Sequence, residues 1–393
     1  MKKFFLFFSG VFLLSLAKAQ VIELNFTNPK CQVYLGKPQN AFCTREDLPR
    51  AQQNPTGPYQ KILNLIKNKN NRRITLGTMT FSHKDVAQAL CQAIKNKVEV
   101  TVMLDAGSEM SVAEQVASCG AEIVKVGVAE ADDQRGDLHH NKFLLVEADD
   151  RTTLVFATAN FSNPGLSINH EAWTFVTEKD DSVLVQNHRC LISSLKKYTD
   201  NLAQFKSEMQ ICRTRSKQPG KIESLFVPAD SNLLMKFIDD NIKKSSRVLM
   251  TSNRYSFDRI TKAFSTSAST DSRAVFDDDL YWGGLQPTPD YVNEAVDAKK
   301  IESLEKTSVK VKFMQTSFGA AQKMHDKFIV FDDIVVVGAG NFTSGGMTSN
   351  FENFYIIRDQ KIAEQFKNQF EYLWSIATAR RQMPTEYSDP GAK

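Results

Sequence analysis

Two stretches of this chain match each other position by position, and that self-similarity constrains the fold more than any other feature. LHHNKFLLVE stands around position 140 and MHDKFIVFDD around 325. With His140 set against His325, a lysine follows two residues on in each copy (Lys142, Lys327) and a carboxylate seven on (Glu147, Asp332). Downstream come ATANFS (157–162) and GAGNFT (338–343), each containing Asn-Phe-hydroxyl. Eleven residues past each Asn (Asn160, Asn341) stands a glutamate, Glu171 in NHE and Glu352 in NFE. The first copy carries four more residues, in EADDRTT, which read as a longer hairpin turn.

The flanks repeat too. Apolar runs at 73–76 and 247–250 read as strands, and helical periodicity follows at 84–95 and 258–264. Second strands follow at 98–107 and 273–279, and further strands lie after each glutamate, at 173–178 and 354–359. A long amphipathic helix near 180–206 and another near 360–380 close the two halves. Strands alternating with helices predict an α/β fold: two mixed-sheet halves related by a pseudo-twofold axis. The polar, turn-forming stretch at 212–221 is the expected junction, giving domains at 20–211 and 222–385.

A composition of 42% hydrophobic and 24% charged residues, with only 12 Pro and 18 Gly, excludes a disordered or collagen-like chain. One stretch stands apart. Lys2 and Lys3 precede an apolar run at 4–16 and then Ala17-Lys18-Ala19, the pattern of a secretory signal peptide over 1–19. The run is shorter than the roughly 20 residues a spanning helix needs. Cleavage near Ala19 would give a secreted or periplasmic protein and, by removing three lysines, lower the formal charge from +4 to +1. So small a charge argues against a broad cationic field for nucleic acid. Six cysteines at long spacings, with no CxxC, suit disulfides in an oxidising compartment. The local pairs Cys31–Cys43, Cys91–Cys119 and Cys190–Cys212 are expected.

In a strand, residues i and i+2 face the same way, so His140 shares a face with Lys142, His325 with Lys327, and Thr158 with Asn160. Packing these faces together would converge two imidazoles, two ammoniums and two carboxamides on one cavity. Lysine charge and the amides of Asn160 and Asn341 suit the oxygens of a phosphodiester, and two histidines supply a nucleophile and a general acid. Glu171 and Glu352 are the expected acceptors that fix the imidazole tautomers, Glu171 for His140 and Glu352 for His325. Glu147 and Asp332, at odd offsets, should hold strand ends. Thr158 faces Ala339 across the repeat, which predicts an extra phosphate donor in the first half. His139 should be structural, and His83, His170 and His188 have no matched partners. No metal-ligand spacing is present.

The pattern resembles the phospholipase D superfamily, whose hallmark is HxKx4D followed by a GSxN-like strand and an acidic residue; the resemblance covers residues 60–380. Glu147 and Ala339 depart from it. The resemblance implies metal-independent, cofactor-free turnover in which His140 attacks phosphorus and His325 protonates the leaving alcohol. The family includes phospholipases, cardiolipin-synthase-like transferases, nucleases and toxins acting on sphingolipid. Two motifs in one chain, low charge, the apolar loop residues Leu166 and Met347, and an acidic stretch at 277–292 favour a monomeric enzyme acting on phospholipid at a membrane or micelle surface. A secreted nuclease with the same site is the alternative. A catalytically dead binding protein is disfavoured, because both histidines and both lysines are present.

Overall fold

The computed structural model describes residues 20–29, 43, 47–55, 57–132, 136–149, 151–214, 220–277, 292–314 and 322–378. The expected cleavage site, Cys31 and nearly all of the acidic stretch at 277–292 lie outside these residues. The first sheet is built from β1 (Val21–Thr27), β2 (Asn71–Thr78), β3 (Glu99–Asp105), β4 (Glu122–Asp132) and β5 (Gly136–Leu138), then β6 (Phe143–Ala148), β7 (Thr152–Ala157) and β8 (Glu171–Glu178). The second contains β9 (Ile222–Val227), β10 (Arg247–Ser252), β11 (Asp271–Asp277) and β12 (Lys310–Met314), then β13 (Phe328–Phe331), β14 (Ile334–Gly338) and β15 (Glu352–Ile357).

Their orders are β1-β8-β7-β6-β2-β3-β4-β5 and, read in the same sense, β9-β15-β14-β13-β10-β11-β12. The two sheets therefore match strand for strand, with β5 an addition at one edge. In each, the β2-β3-β4 or β10-β11-β12 run is parallel and the remaining pairs are antiparallel. This is the mixed-sheet, pseudo-twofold architecture that the repeat predicts.

Helices α1 (Leu48–Gln52), α2 (Tyr59–Ile66), α3 (Lys84–Lys95) and α4 (Ser111–Ser118) belong to the first half. Helices α5 (Val183–Lys197) and α6 (Leu202–Cys212) close it. The second half carries α7 (Ser231–Lys244), α8 (Asp258–Ser265), α9 (Val292–Glu305), α10 (Ser344–Thr348) and α11 (Gln360–Ile376). The single helix expected near 180–206 is thus two. Asn201 accepts from Gln204 N at 3.0 Å, restarting the helix with its own N-cap after Lys197.

Alternation along the strands sorts side chains into layers. Leu144, Val146 and Val155 face outward onto α2–α4, and Ile329, Val336 and Phe354 do the same onto α7–α9. Phe143, Leu145 and Phe156 face the other way and meet Phe328, Val337 and Tyr355 in a core shared by both halves, with α5, α6 and α11 enclosed there. Both faces of each sheet are covered, which is why the strands read as continuous apolar runs. Phe156 stacks on Tyr355 at 3.6 Å, and Phe366 of α11 meets Phe26 and Phe328 edge-on at 5.4 and 5.0 Å. The expected bonds Cys91–Cys119 and Cys190–Cys212 are formed, and Cys43 is also disulfide-bonded.

Candidate active site

The two repeated motifs meet where the halves exchange backbone bonds. His139 bridges Phe351 in parallel, and Met324 bridges His170 in the same way. His140 N donates to Phe351 O at 2.9 Å, and His325 N donates to His170 O at 3.0 Å. Each histidine is therefore delivered beside the residue that precedes the other half's glutamate. The side chains follow. His140 Nδ1 lies 2.9 and 2.8 Å from the two carboxylate oxygens of Glu352, and His325 Nδ1 lies 2.7 Å from Glu171 Oε1. The expectation that each histidine uses the glutamate of its own half is overturned. Within one half the sheet leads the glutamate away from its own histidine, and only the parallel bridges between halves bring a carboxylate to each ring.

β6 and β13 begin one residue past Lys142 and Lys327, so the His-x-Lys segments are approach loops rather than strands. Both ammoniums are fully buried. Lys142 Nζ donates to His140 O at 2.9 Å, and Lys327 Nζ donates to His325 O at 2.6 Å. Lys327 Nζ also reaches Thr158 O at 3.5 Å. Each lysine thus ties down its own histidine backbone while its ammonium sits within the cluster as a point of positive charge.

The carboxylates have supports of their own. Asn169 Nδ2 donates to Glu171 Oε1 at 3.1 Å, and Asn350 Nδ2 donates to Glu352 Oε1 at 3.2 Å. Thr158 Oγ1 donates to Glu171 Oε2 at 2.7 Å and accepts from Ala172 N at 2.9 Å. Its one proton is committed to the carboxylate, so Thr158 is a support for Glu171 and not the phosphate donor expected from its place in the repeat. Asp105 Oδ2 accepts from His139 N at 2.8 Å, and Asp277 Oδ2 accepts from Met324 N at 2.6 Å, each buttressing the residue before a histidine. Sequence reasoning missed Asn169, Asn350, Asp105 and Asp277. Their signal was present in the repeat, as Asn two residues before each Glu and Asp at the end of each second strand.

Asn160 and Asn341 follow the ends of β7 and β14 in matched turns. Ser162 Oγ accepts from Gly165 N at 3.2 Å, and Thr343 Oγ1 accepts from Gly346 N at 3.1 Å. Phe161 N and Phe342 N donate to the hydroxyls of Thr78 and Ser252 at 3.2 and 3.4 Å. The Asn-Phe-hydroxyl motif is thus the frame that presents each asparagine. Thr78 Oγ1 lies 3.4 Å from Asn160 Oδ1, and Asn341 is buried.

Glu147 accepts from Arg189 Nε at 2.8 Å, and Asp332 accepts from Ser246 Oγ and Arg247 N at 2.7 and 3.0 Å. Both hold strand ends, as their odd offsets predict. Leu166 and Met347 are 1% and 0% exposed, so they are packed into their own loops and offer no surface to acyl chains. His139 is buried and pushed down to about 3 by burial, which keeps it neutral.

Burial, followed by the positive charges of Lys327 and Lys142, pushes His325 well below the ordinary imidazole range. That influence of Lys142 on a ring of the other half marks one shared cluster. Burial raises Glu171 to about 8, against the opposing pull of Lys327 and the Thr158 hydroxyl. Partners 2.7 Å apart and shifted in opposite senses titrate as a unit. The pair keeps its second proton into mildly alkaline pH, and with that proton on either partner His325 Nε2 retains its N–H. Among the described residues no group of three or more His, Cys, Asp or Glu is placed to hold a metal ion.

A family model described as the phospholipase D-like domain of cardiolipin synthase matches residues 62–194 and again 247–374. Among solved structures, phosphatidylserine synthase from Haemophilus influenzae matches with a TM-score of 0.55 and 12% identity over 81% of this chain and 84% of that one. Polyphosphate kinase from Porphyromonas gingivalis matches with a TM-score of 0.53 and 11% identity over 81% of this chain, which spans only 46% of the kinase. A yeast tyrosyl-DNA phosphodiesterase 1 variant matches with a TM-score of 0.50 and 10% identity over 87% of this chain and 91% of that one. At such identities the likeness is one of fold. No curated protein matches the chain in sequence.

Proposed function

The chain belongs to the phospholipase D-like family, and from that premise we propose that it cleaves phospholipid headgroup esters through a phosphohistidine on His140. The observation that carries this reading is the reciprocal pairing of the buried His140 and the largely buried His325 with two buried glutamates, beside two lysines. His140 donates Nδ1–H to Glu352, which leaves the Nε2 lone pair to attack phosphorus. As the N–P bond forms, the P–O bond to the leaving alcohol breaks, and that oxygen takes the proton from His325 Nε2. Lys142 and Lys327, with Asn160 and Asn341, stabilise the charge on the non-bridging oxygens. In the second step His325 removes a proton from water, the water oxygen attacks phosphorus, and the P–N bond breaks to restore His140. The retained proton of the His325–Glu171 pair supports the assignment of His325 as the acid.

A phospholipid substrate is supported by two motifs in one chain and by the family description. The burial of Leu166 and Met347 removes one argument for it. Export by cleavage near Ala19 is part of the same reading, and N-terminal sequencing of the mature protein checks it.

With an activated leaving group, His325→Ala should form an acid-labile, base-stable adduct on His140 and turn it over slowly; His140→Ala should form none. An adduct on His325 in the unmodified enzyme would reverse the roles. In parallel, vesicles of choline, ethanolamine and glycerol phospholipids and single- and double-stranded DNA are supplied in EDTA. Degradation of DNA without headgroup release would overturn the lipid assignment and make the enzyme a nuclease.

A further inference from the structure

The repeat is broken one residue past each glutamate: Asn353 follows Glu352, whereas Ala172 follows Glu171. Asn353 is fully buried on the face of β15 that looks into the shared core, and it reaches the other half. Lys142 N donates to Asn353 Oδ1 at 2.7 Å, and Asn353 Nδ2 donates to Lys142 O at 3.3 Å. One carboxamide thus grips both backbone polar groups of Lys142, the residue immediately before β6. The methyl group of Ala172 offers no such bonds at the matching place.

The grip is itself anchored, and every proton in the anchor can be assigned. Leu184 O can only accept, so His188 Nδ1–H donates to it at 2.8 Å. His188 Nε2 is then the acceptor for Tyr355 O–H at 2.8 Å, and the Tyr355 oxygen accepts from Asn353 Nδ2 at 3.1 Å. Burial pushes His188 down to about 4, which keeps this neutral tautomer in place. Phe156 and Phe226 enclose the two rings. Tyr355 is likewise unmatched in the repeat, where Thr174 stands at its position.

We propose that Asn353, oriented by Tyr355 and His188, is a positioning residue that clamps the His140–Lys142 segment and so makes the two histidines inequivalent. This rests on the reading of His140 as nucleophile. The clamp acts through Lys142, whose ammonium holds His140 O at 2.9 Å. A nucleophile must be held at a fixed distance from phosphorus, whereas a proton donor tolerates more play. The His325–Lys327 segment is tied differently, through the side chain of Asp326, whose Oδ2 accepts from Gln369 Nε2 at 3.0 Å, and the carboxamide clamp on the backbone falls on the side of the attacking ring.

The test uses the full chain, a p-nitrophenyl phosphodiester whose leaving group needs no proton, and rapid-quench measurement of the adduct. Asn353→Ala should slow adduct formation on His140 by ~10- to 100-fold, the size of effect that misplacing a reacting group brings. The loss should read out in kcat more than in KM, because Lys327, Asn160 and Asn341 lie outside the clamp and still bind the phosphate. Tyr355→Phe, which deletes one oxygen and leaves the amide, should give a smaller loss of the same kind. It carries the test should Asn353→Ala fail to fold. An adduct rate unchanged in both variants, with only the melting temperature lowered, would make the network merely structural and overturn the clamp. Absence of any adduct in the unmodified enzyme during turnover would instead sink the His140 reading itself.

Discussion

Thr158 and Ala339 occupy the same place in the repeat, and a hydroxyl and a methyl group on Cβ distinguish them. Because that hydroxyl donates to Glu171, it favours the ionised carboxylate and holds the His325–Glu171 pair below where burial alone would put it. The acid-competent pair carries its extra proton below about 8 and loses it above, so kcat/KM should fall as pH rises through that region. Thr158→Val keeps the shape and removes the donor. The alkaline limb should then move to higher pH, and a pH–rate profile that stays in place would separate this pair from the chemistry. The residues of the cluster were legible in the sequence because each is doubled at a fixed interval. Their pairing was not. Spacing along the chain says that a glutamate accompanies each histidine, but His140–Glu352 is fixed by a backbone bridge between His139 and Phe351, which no interval encodes. Thr158 was misread for a related reason: sharing a strand face with Asn160 does not reveal that Glu171 stands opposite on the neighbouring strand.

At the level of elements, the turns after β7 and β14 carry a second doubled feature, a glycine five residues past each asparagine. A β-carbon on Gly165 would lie 2.3 Å from Asn160 O, and one on Gly346 would lie 2.3 Å from Asn341 O. Backbone cannot yield as a side-chain tip can, so Gly346→Ala must displace Asn341. Activity should drop by more than ~10-fold, following the loss of a placed phosphate donor, and steady-state kinetics with a melting curve checks it. Full activity at unchanged KM would remove Asn341 from phosphate binding. The outer bond Cys91–Cys119 makes the opposite case, since it ties α3 to α4 away from the histidines. Replacing both cysteines by serine should cost about 3–4 kcal/mol of stability for a loop of this length and leave kcat unchanged. Most strands and helices were legible from periodicity, because the sheets are buried on both faces and α3 and α11 each present one apolar side. The break between α5 and α6 was harder to see: the apolar period continues from Leu195 to Phe205 across it, and only Asn201 announces a new helix.

Across the whole molecule, the halves exchange carboxylates, share one core and enclose α5 and α11 between them. Residues 20–211 alone would hold His140 without Glu352 and Glu171 without His325, so that fragment should be inactive as a monomer. Mixing it with residues 222–385 should restore turnover only as the two associate, which size-exclusion chromatography with an activity assay would follow. Activity from the first fragment as a monomer would contradict the reciprocal pairs. Turnover should also survive EDTA, since the positive charge of the reading comes from Lys142 and Lys327; activity lost in EDTA and restored by Mg²⁺, Ca²⁺ or Zn²⁺ would refute that. The doubled architecture was legible from the repeat, whereas the depth of interlock was not, because a repeat describes each half and says nothing of the seam. The exchange of carboxylates also sets a clock on synthesis. Glu352 follows His140 by 212 positions, so His140 leaves the ribosome long before its partner exists. At 5–20 residues per second the interval is roughly 10–40 s. Until β15 has been translated, a growing chain holds His140, Lys142 and Asn160 without the carboxylate that orients the first ring, so on the proposed mechanism it cannot yet cut a phosphodiester.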